Sequence, residues 1–192
     1  QASGTVTSTI TINPAQDAPV ITPAGGAASY TENTAAISVD NTVTVTDADD
    51  TQIAGGTISI TSGFLAGDEL AVITAGTGIT AVYDAGAGVV TLTGADTLAN
   101  YQGVLRSLTF LNSTDDPTNN TLNPTRTITY SLTDADSDGA GAAAGTVTKT
   151  INVTAINDVP VTAVGGGAVP GYTENGVAVV LDSGFSVVSD AD

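Results

Sequence analysis

Carboxylates dominate the chemistry available to this chain. Seventeen Asp and three Glu face three basic residues, Arg106, Arg126 and Lys149, and no Cys or His supplies a thiol or an imidazole. In YTENTAAISVDNTVTVTDADD, residues 30–50, Glu32 precedes a β-patterned run and Asp47, Asp49 and Asp50 close it, with no positive charge between. Like charges at such spacing repel, so a cation that the sequence does not encode is expected beside them. TDADSDG (133–139) supplies Asp134, Asp136 and Asp138 after another β-patterned run, and is expected at the same end of the molecule as Asp47. Ca²⁺ fits this donor set, since it takes about six to eight oxygen ligands, whereas Mg²⁺ keeps several waters. The competing reading is a solvated acidic turn in which each Asp bonds its own backbone. It applies chiefly to Asp50, Asp115, Asp116 and Asp138, and Asp68 and Glu69 in AGDEL read as an ordinary loop.

The elements that must position these groups are strands. Thr, Val and Ile fill the periodic stretches, a composition suited to a pleated, half-buried surface, and 22 Gly and 7 Pro punctuate them. Strands are expected near 19–22, 35–46, 56–61, 69–74, 125–132 and 145–156, with a hairpin over 78–94 around a Gly-rich turn. Leu98, Tyr101, Leu105 and Leu108 fall at helical spacing behind a capping Asp96 or Thr97, which predicts one short helix near 96–107. The whole reads as an all-β sandwich of seven to nine strands. A strand between Glu32 and Asp47 would be about 30 Å long and would set them at opposite ends, where neither could share an ion with the other.

Internal comparison supplies a way to complete each half-site. GTVTSTITINPAQDAPV (4–20) returns as GTVTKTINVTAINDVPV (145–161), YTEN at 30–33 returns at 172–175, and DAD at 47–49 returns at 190–192. The three markers recur in order at one spacing of roughly 140 residues, the signature of a repeat. Residues 1–17 then form the last strand of a preceding repeat and its linker, 18–158 a complete repeat, and 159–192 the first strands of the next. The start of the chain does not read as a signal peptide, and the chain is expected to be an excerpt of a longer polypeptide. In a head-to-tail array, the acids at one end of a repeat meet those at the other end of its neighbour.

YTEN, DAD, TDADSDG and AINDVP resemble, in order, the calcium motifs of cadherin repeats, and YDAGAGVVTLTG is similar to a cadherin hairpin. With its TLANYQGVLRSLTF insertion, the repeat most resembles the cadherin-like modules of very large bacterial surface adhesins. The resemblance implies a cadherin-like (Ig-like) Greek-key β-sandwich with one short helix, in a head-to-tail tandem array with Ca²⁺ at its junctions. It implies that Asp47, Asp49 and Asp134 join Asp17 at one junction, and that Glu32 joins Asn157, Asp158, Asp190 and Asp192 at the next. Asp136 is a further candidate ligand from TDADSDG, and Glu174 would serve a third junction. The family's Asp-Arg-Glu motif is absent, with Asp96 near its place, and Ala155, Val159 and Gln16 stand where the family has ligands. Fewer ions than a full junction holds are therefore expected.

A net charge of −17 disfavours nucleic acid and anionic membrane surfaces, and no apolar run is long enough for membrane insertion. The expected function is a calcium-binding structural repeat of a secreted, extracellular cell-surface adhesin or filament whose partners are adjacent repeats. The alternative is a glycan- or protein-binding sandwich that uses loops 62–68 and 112–124; an enzyme is not expected. Lys149 shares strand parity with Val147 and Ile151, and reads as an edge lysine reaching to solvent, with an amide cross-link to an Asn or Asp as the alternative. Sequons at Asn112, Asn119 and Asn152 are common by chance.

Overall fold

The computed structural model describes residues 3–11, 15–137, 139–163, 171, 173–180, 184 and 186–189. Its elements are β1 (Val20–Thr22), β2 (Ala28–Thr31), β3 (Ile37–Ser38), β4 (Thr44–Thr46), β5 (Gln52–Ser62), β6 (Asp68–Ala71), β7 (Thr80–Asp84) and β8 (Val89–Thr97). These are followed by α1 (Leu98–Arg106), β9 (Thr109–Asn112), β10 (Thr125–Asp134), β11 (Ala144–Thr154), β12 (Val161–Ala163) and β13 (Ser186–Ser189). Six strands form one sheet in the order β2-β11-β10-β5-β8-β7, three form a second in the order β3-β9-β6, and β1 pairs β4. β12 and β13 pair with each other. Among the described residues the protein is an all-β sandwich with one helix.

Alternation builds the core. Ile58 and Ile60 of β5, Val90 and Leu92 of β8, Ile128, Tyr130 and Leu132 of β10, and Ile151 and Val153 of β11 are buried, while Thr and Ser dominate the positions between them. Period-two patterning places one face of each strand inward. Tyr30 of β2 crosses to the second sheet, its ring edge-on to Phe110 at 5.3 Å and its hydroxyl donating to Asn112 O at 2.7 Å. At the far side Tyr83 of β7 donates to Asp68 O of β6 at 2.7 Å. The helix begins where Thr97 Oγ1 accepts from Asn100 N and buries Tyr101, Val104 and Leu105. It holds β4 from outside the ladders: Gln102 Oε1 accepts from Val45 N, and Arg106 Nε donates to Val43 O at 2.8 Å.

The run 35–46 is not one strand. Asp40 breaks it, its Oδ1 accepting from Thr42 N at 2.9 Å and from Thr42 Oγ1 at 2.8 Å, which turns the chain so that β3 joins one sheet and β4 pairs β1. Side-chain bonding of this kind mimics a backbone turn and overrides the Val/Thr alternation. Lys149 is buried rather than an edge residue. It donates from Nζ to Ala24 O at 2.8 Å and lies 3.5 Å from Asp40 Oδ2, which also accepts from Ala24 N at 2.6 Å. Burial raises the Asp40 pKa, but the bonds from Thr42 and Ala24 and the charge of Lys149 outweigh it and hold the carboxyl below its ordinary value. A carboxylate kept ionised against an ammonium is an ion pair, not the neutral acid that condensation to an amide requires.

AGDEL is not an ordinary loop either. Asp68 and Arg126 are both buried, with Arg126 Nε 2.5 Å from Asp68 Oδ2 and Nη2 3.1 Å from Oδ1. Arg126 also donates to Pro117 O at 2.6 Å and Asn123 O at 2.8 Å, so one guanidinium ties loops 62–68 and 112–124 to the same strand. Removing one partner of a buried pair strands the other charge. Arg126→Met should therefore cost about 3–5 kcal/mol in urea unfolding. Arg126→Met combined with Asp68→Leu should recover part of that loss.

Candidate metal centres at the two ends of the sandwich

Strand β11 separates two acidic ends. At its start, Ala143 N donates to Asp134 Oδ2 at 2.9 Å, and just past its end Ile156 N donates to Glu32 Oε2 at 2.7 Å. Eleven strand residues lie between, about 35 Å of chain. Glu32 and Asp47 are thus kept apart by β11, although not by a single strand between them in sequence.

At the lower end the acids gather around residues 15–19. Asp134 is fully buried and accepts from Gln16 Nε2 at 2.9 Å; Asp49 Oδ2 accepts from Asp17 N at 2.9 Å. The DADD stretch is bent, because Asp47 Oδ1 accepts from Asp49 N at 3.3 Å and Asp50 N at 3.1 Å. The bend brings oxygens of Asp47, Asp49 and Asp50 within 4.8 Å of one another. Asp50 also accepts from the backbone and hydroxyl of Ser137, which draws the 133–137 segment onto the cluster. Asp136 is exposed, at φ 52, and closes its own loop by accepting from Gly141 N at 2.7 Å. Asp17 is exposed.

Among the described residues, Asp47 Oδ2, Asp49 Oδ1 and Gln16 Oε1 at this end are buried with no hydrogen-bond partner. Orphaned acceptors in such a place are costly unless something donates to them. Desolvation, together with the side chain and charge of Asp49, raises the Asp47 pKa against the backbone bonds from Asp50 and Asp49 that lower it. The chain's three cations are all engaged elsewhere, Arg106 on Val43 O, Arg126 on Asp68 and Lys149 on Asp40, and none reaches Asp47 or Asp49. The donor set is oxygen only, carboxylate and amide, and fits a hard divalent cation.

At the upper end Glu32, Asp115 and Asp158 bring carboxylate oxygens within 4.8 Å of one another. Glu32 is 1% exposed and held from both sides, its backbone N donating to Thr154 O at 2.9 Å. Asn157 is exposed, and its side chain donates to Asp158 O at 2.7 Å. Asp138, Asp190 and Asp192 lie outside the described residues. Asp50 and Asp115 join these clusters although the sequence favoured bland turns for both. Asp50 carried a signal, the Asx turn available to Asp47; Asp115 carried none, because its loop is held by tertiary bonds such as Arg126 to Pro117 O and Val153 N to Pro124 O.

Residues 15–19 are seated on the sandwich by shape as well as by hydrogen bonds. A Cβ at Gly145 would stand 1.7 Å from Pro19 O, so only glycine admits this approach.

No protein-family model and no solved structure matches the chain. Halomucin of Haloquadratum walsbyi is 38% identical over 100 residues, a stretch covering 50% of this chain and 1% of Halomucin. The chain thus corresponds to a small fraction of that relative's length. No helix among the described residues is long and apolar enough to cross a membrane.

The raised Asp47 pKa gives a signed expectation in chelator. The folded chain holds this proton more tightly than the unfolded chain, so the group favours folding below the ordinary value of 3.8 and loses that contribution as pH rises through the raised one. Asp47→Asn, which mimics the protonated form, should match wild type in denaturant melts near about pH 3 and exceed it near about pH 6.

Proposed function

We propose that this chain is a calcium-binding structural repeat of a large extracellular surface protein, with each ion held where one repeat meets the next. The carrying observation is the pair of orphaned carboxylate oxygens on Asp47 and Asp49, set beside Gln16 and the Asp17 backbone in a chain whose three cations are engaged elsewhere. Residues 15–17 belong to the linker of the preceding repeat in the internal comparison, so the lower cluster already combines groups from both sides of a junction. Asp47, Asp49, Asp50 and Asp134 are the lower half of the proposed joint, with Asp17 and Gln16 from the linker. Glu32, Asp115 and Asp158 are the upper half, to be completed by the next repeat. The order of motifs shared with cadherin-like modules supports the same arrangement, and the partial similarity to Halomucin fits a repeat of a surface protein.

The ion's contribution here is charge neutralisation and a fixed angle between neighbours; no reaction is assigned. The residues hold the linker: Asp134 grips Gln16, Asp49 grips the Asp17 amide, and Gly145 admits Pro19. Calcium would then stiffen a joint of which one side is already seated.

Calcium at about 10 mM, with Kd in the extracellular range of about 10⁻⁴ to 10⁻³ M, should stabilise the fold by about 1.4–2.7 kcal/mol per site. Asp47→Asn with Asp49→Asn should abolish that gain without unfolding the sandwich. Identical melts in calcium and in chelator would remove the metal reading. On a two-repeat chain, small-angle scattering should show the maximum dimension shrinking on chelation and with Asp158→Ala.

A further inference from the structure

Three Asn-X-Ser/Thr triplets in which X is not Pro are present, and the fold treats them differently. Asn112 is 3% exposed, and its amide donates to Asp68 Oδ1 at 2.8 Å and Ala66 O at 3.3 Å. Its carbonyl oxygen takes the hydroxyl and the amide of Thr114, the third residue of its own triplet, at 2.6 and 2.8 Å. Every group a transferase would need there is already used beside the Arg126–Asp68 pair. Asn152 is exposed but lies in β11, with Thr125 of β10 opposite it on one side and Ser29 of β2 on the other. A backbone paired on both sides cannot be lifted into a transferase cleft.

Asn119 differs from both. It is exposed at the tip of a loop that no strand pairs, as is Thr121 two residues on. The tip folds back on itself, Leu122 N donating to Asn119 O at 3.2 Å and Asn123 N to Thr118 O at 2.8 Å. Its stem is held by Asp116, which accepts from Thr118 N and Asn120 N, and by Arg126 on Pro117 O and Asn123 O. Asn119, Asn120 and Thr121 all have positive φ, at 53°, 54° and 65°. Asparagine tolerates this region, which accounts for the first two. A β-branched residue there is an outlier, and strain retained at one exposed position points to a use for the side chain. The turn does not call for threonine at 121; a sequon does.

We propose that Asn119 is the acceptor of an N-linked glycan, transferred from a polyprenyl-phosphate-linked oligosaccharide. Asn119 Nδ2 forms the bond to the anomeric carbon while that carbon's bond to the lipid phosphate oxygen breaks. The lipid phosphate leaves with the electron pair, and the amide proton passes to the transferase's base. The proposal rests on the surface-repeat reading only in requiring that the chain meet such a donor outside the cytoplasm.

The test uses the purified full chain, an oligosaccharyltransferase and its lipid-linked oligosaccharide, with occupancy read by glycopeptide mass spectrometry. The folded chain should be modified at Asn119 and not at Asn112 or Asn152, while chain unfolded in urea and diluted into the assay should be modified at all three. Asn119→Gln and Thr121→Ala should each abolish transfer to the folded chain. An unmodified Asn119 in folded chain, or equal occupancy of the three sites, overturns the proposal. A calcium melt on the same preparation separates the two readings, since a chain stabilised by calcium but not glycosylated loses only this one, and a glycosylated chain indifferent to calcium loses only the other.

Discussion

The inward row of β10 carries a charge at each end, and both ends of the sandwich depend on it. Arg126 opens the row and Asp134 closes it, with Ile128, Tyr130 and Leu132 buried between. Five inward positions on a strand fix the separation of the two charges at about 26 Å whatever the loops do. Arg126 draws in Asp68 and the carbonyls of Pro117 and Asn123, which sets the loop that carries Asp115 to Glu32. Asp134 draws in Gln16 and the start of β11, which sets residues 15–19 beside Asp47 and Asp49. A buried charge is tolerated only where its bonding is complete, so each end is specified more tightly than apolar packing alone would require.

The cations show the same economy of placement. With three basic side chains for twenty acids, the sandwich places one on Asp68, one on Asp40 and one on a carbonyl of the chain between β3 and β4. Each fastens a non-adjacent stretch of chain to a long strand or to the helix. None of the three is placed on the lower acids, where Asp47 and Asp49 keep orphaned oxygens among the described residues.

Much of the fold was legible from local pattern. The hairpin of β7 and β8 followed from a Gly-rich turn between alternating arms, and α1 from Leu98, Tyr101 and Leu105 behind Thr97. The long strands β5, β10 and β11 announced themselves by Thr/Val/Ile alternation. β2 and β9 did not, since four residues are too few to establish a period and both are defined by their partners. The split of 35–46 was hidden because alternation masked an Asp-Asn-Thr turn. Asp68 was misjudged because its partner lies 58 residues away, beyond any local window. The acidic motifs were found by type and order, but which acids actually meet was a tertiary matter, as Asp115 shows.

The placement of Pro19 and Thr154 has a mechanical consequence. Pro19 is seated against Gly145 at the start of β11, and Thr154 ends that strand, so the chain enters the sandwich at one end and leaves at the other. β2 runs parallel to β11 and is bonded to it at the exit end, from Ile151 to Thr154. A pull applied at the residues before Pro19 and after Thr154 acts along these strands, while their ladder bonds lie across them. The bonds are then loaded together in shear rather than opened one at a time from an end. Under tension the body should behave as a stiff link, and extension should begin outside the sheets before they yield.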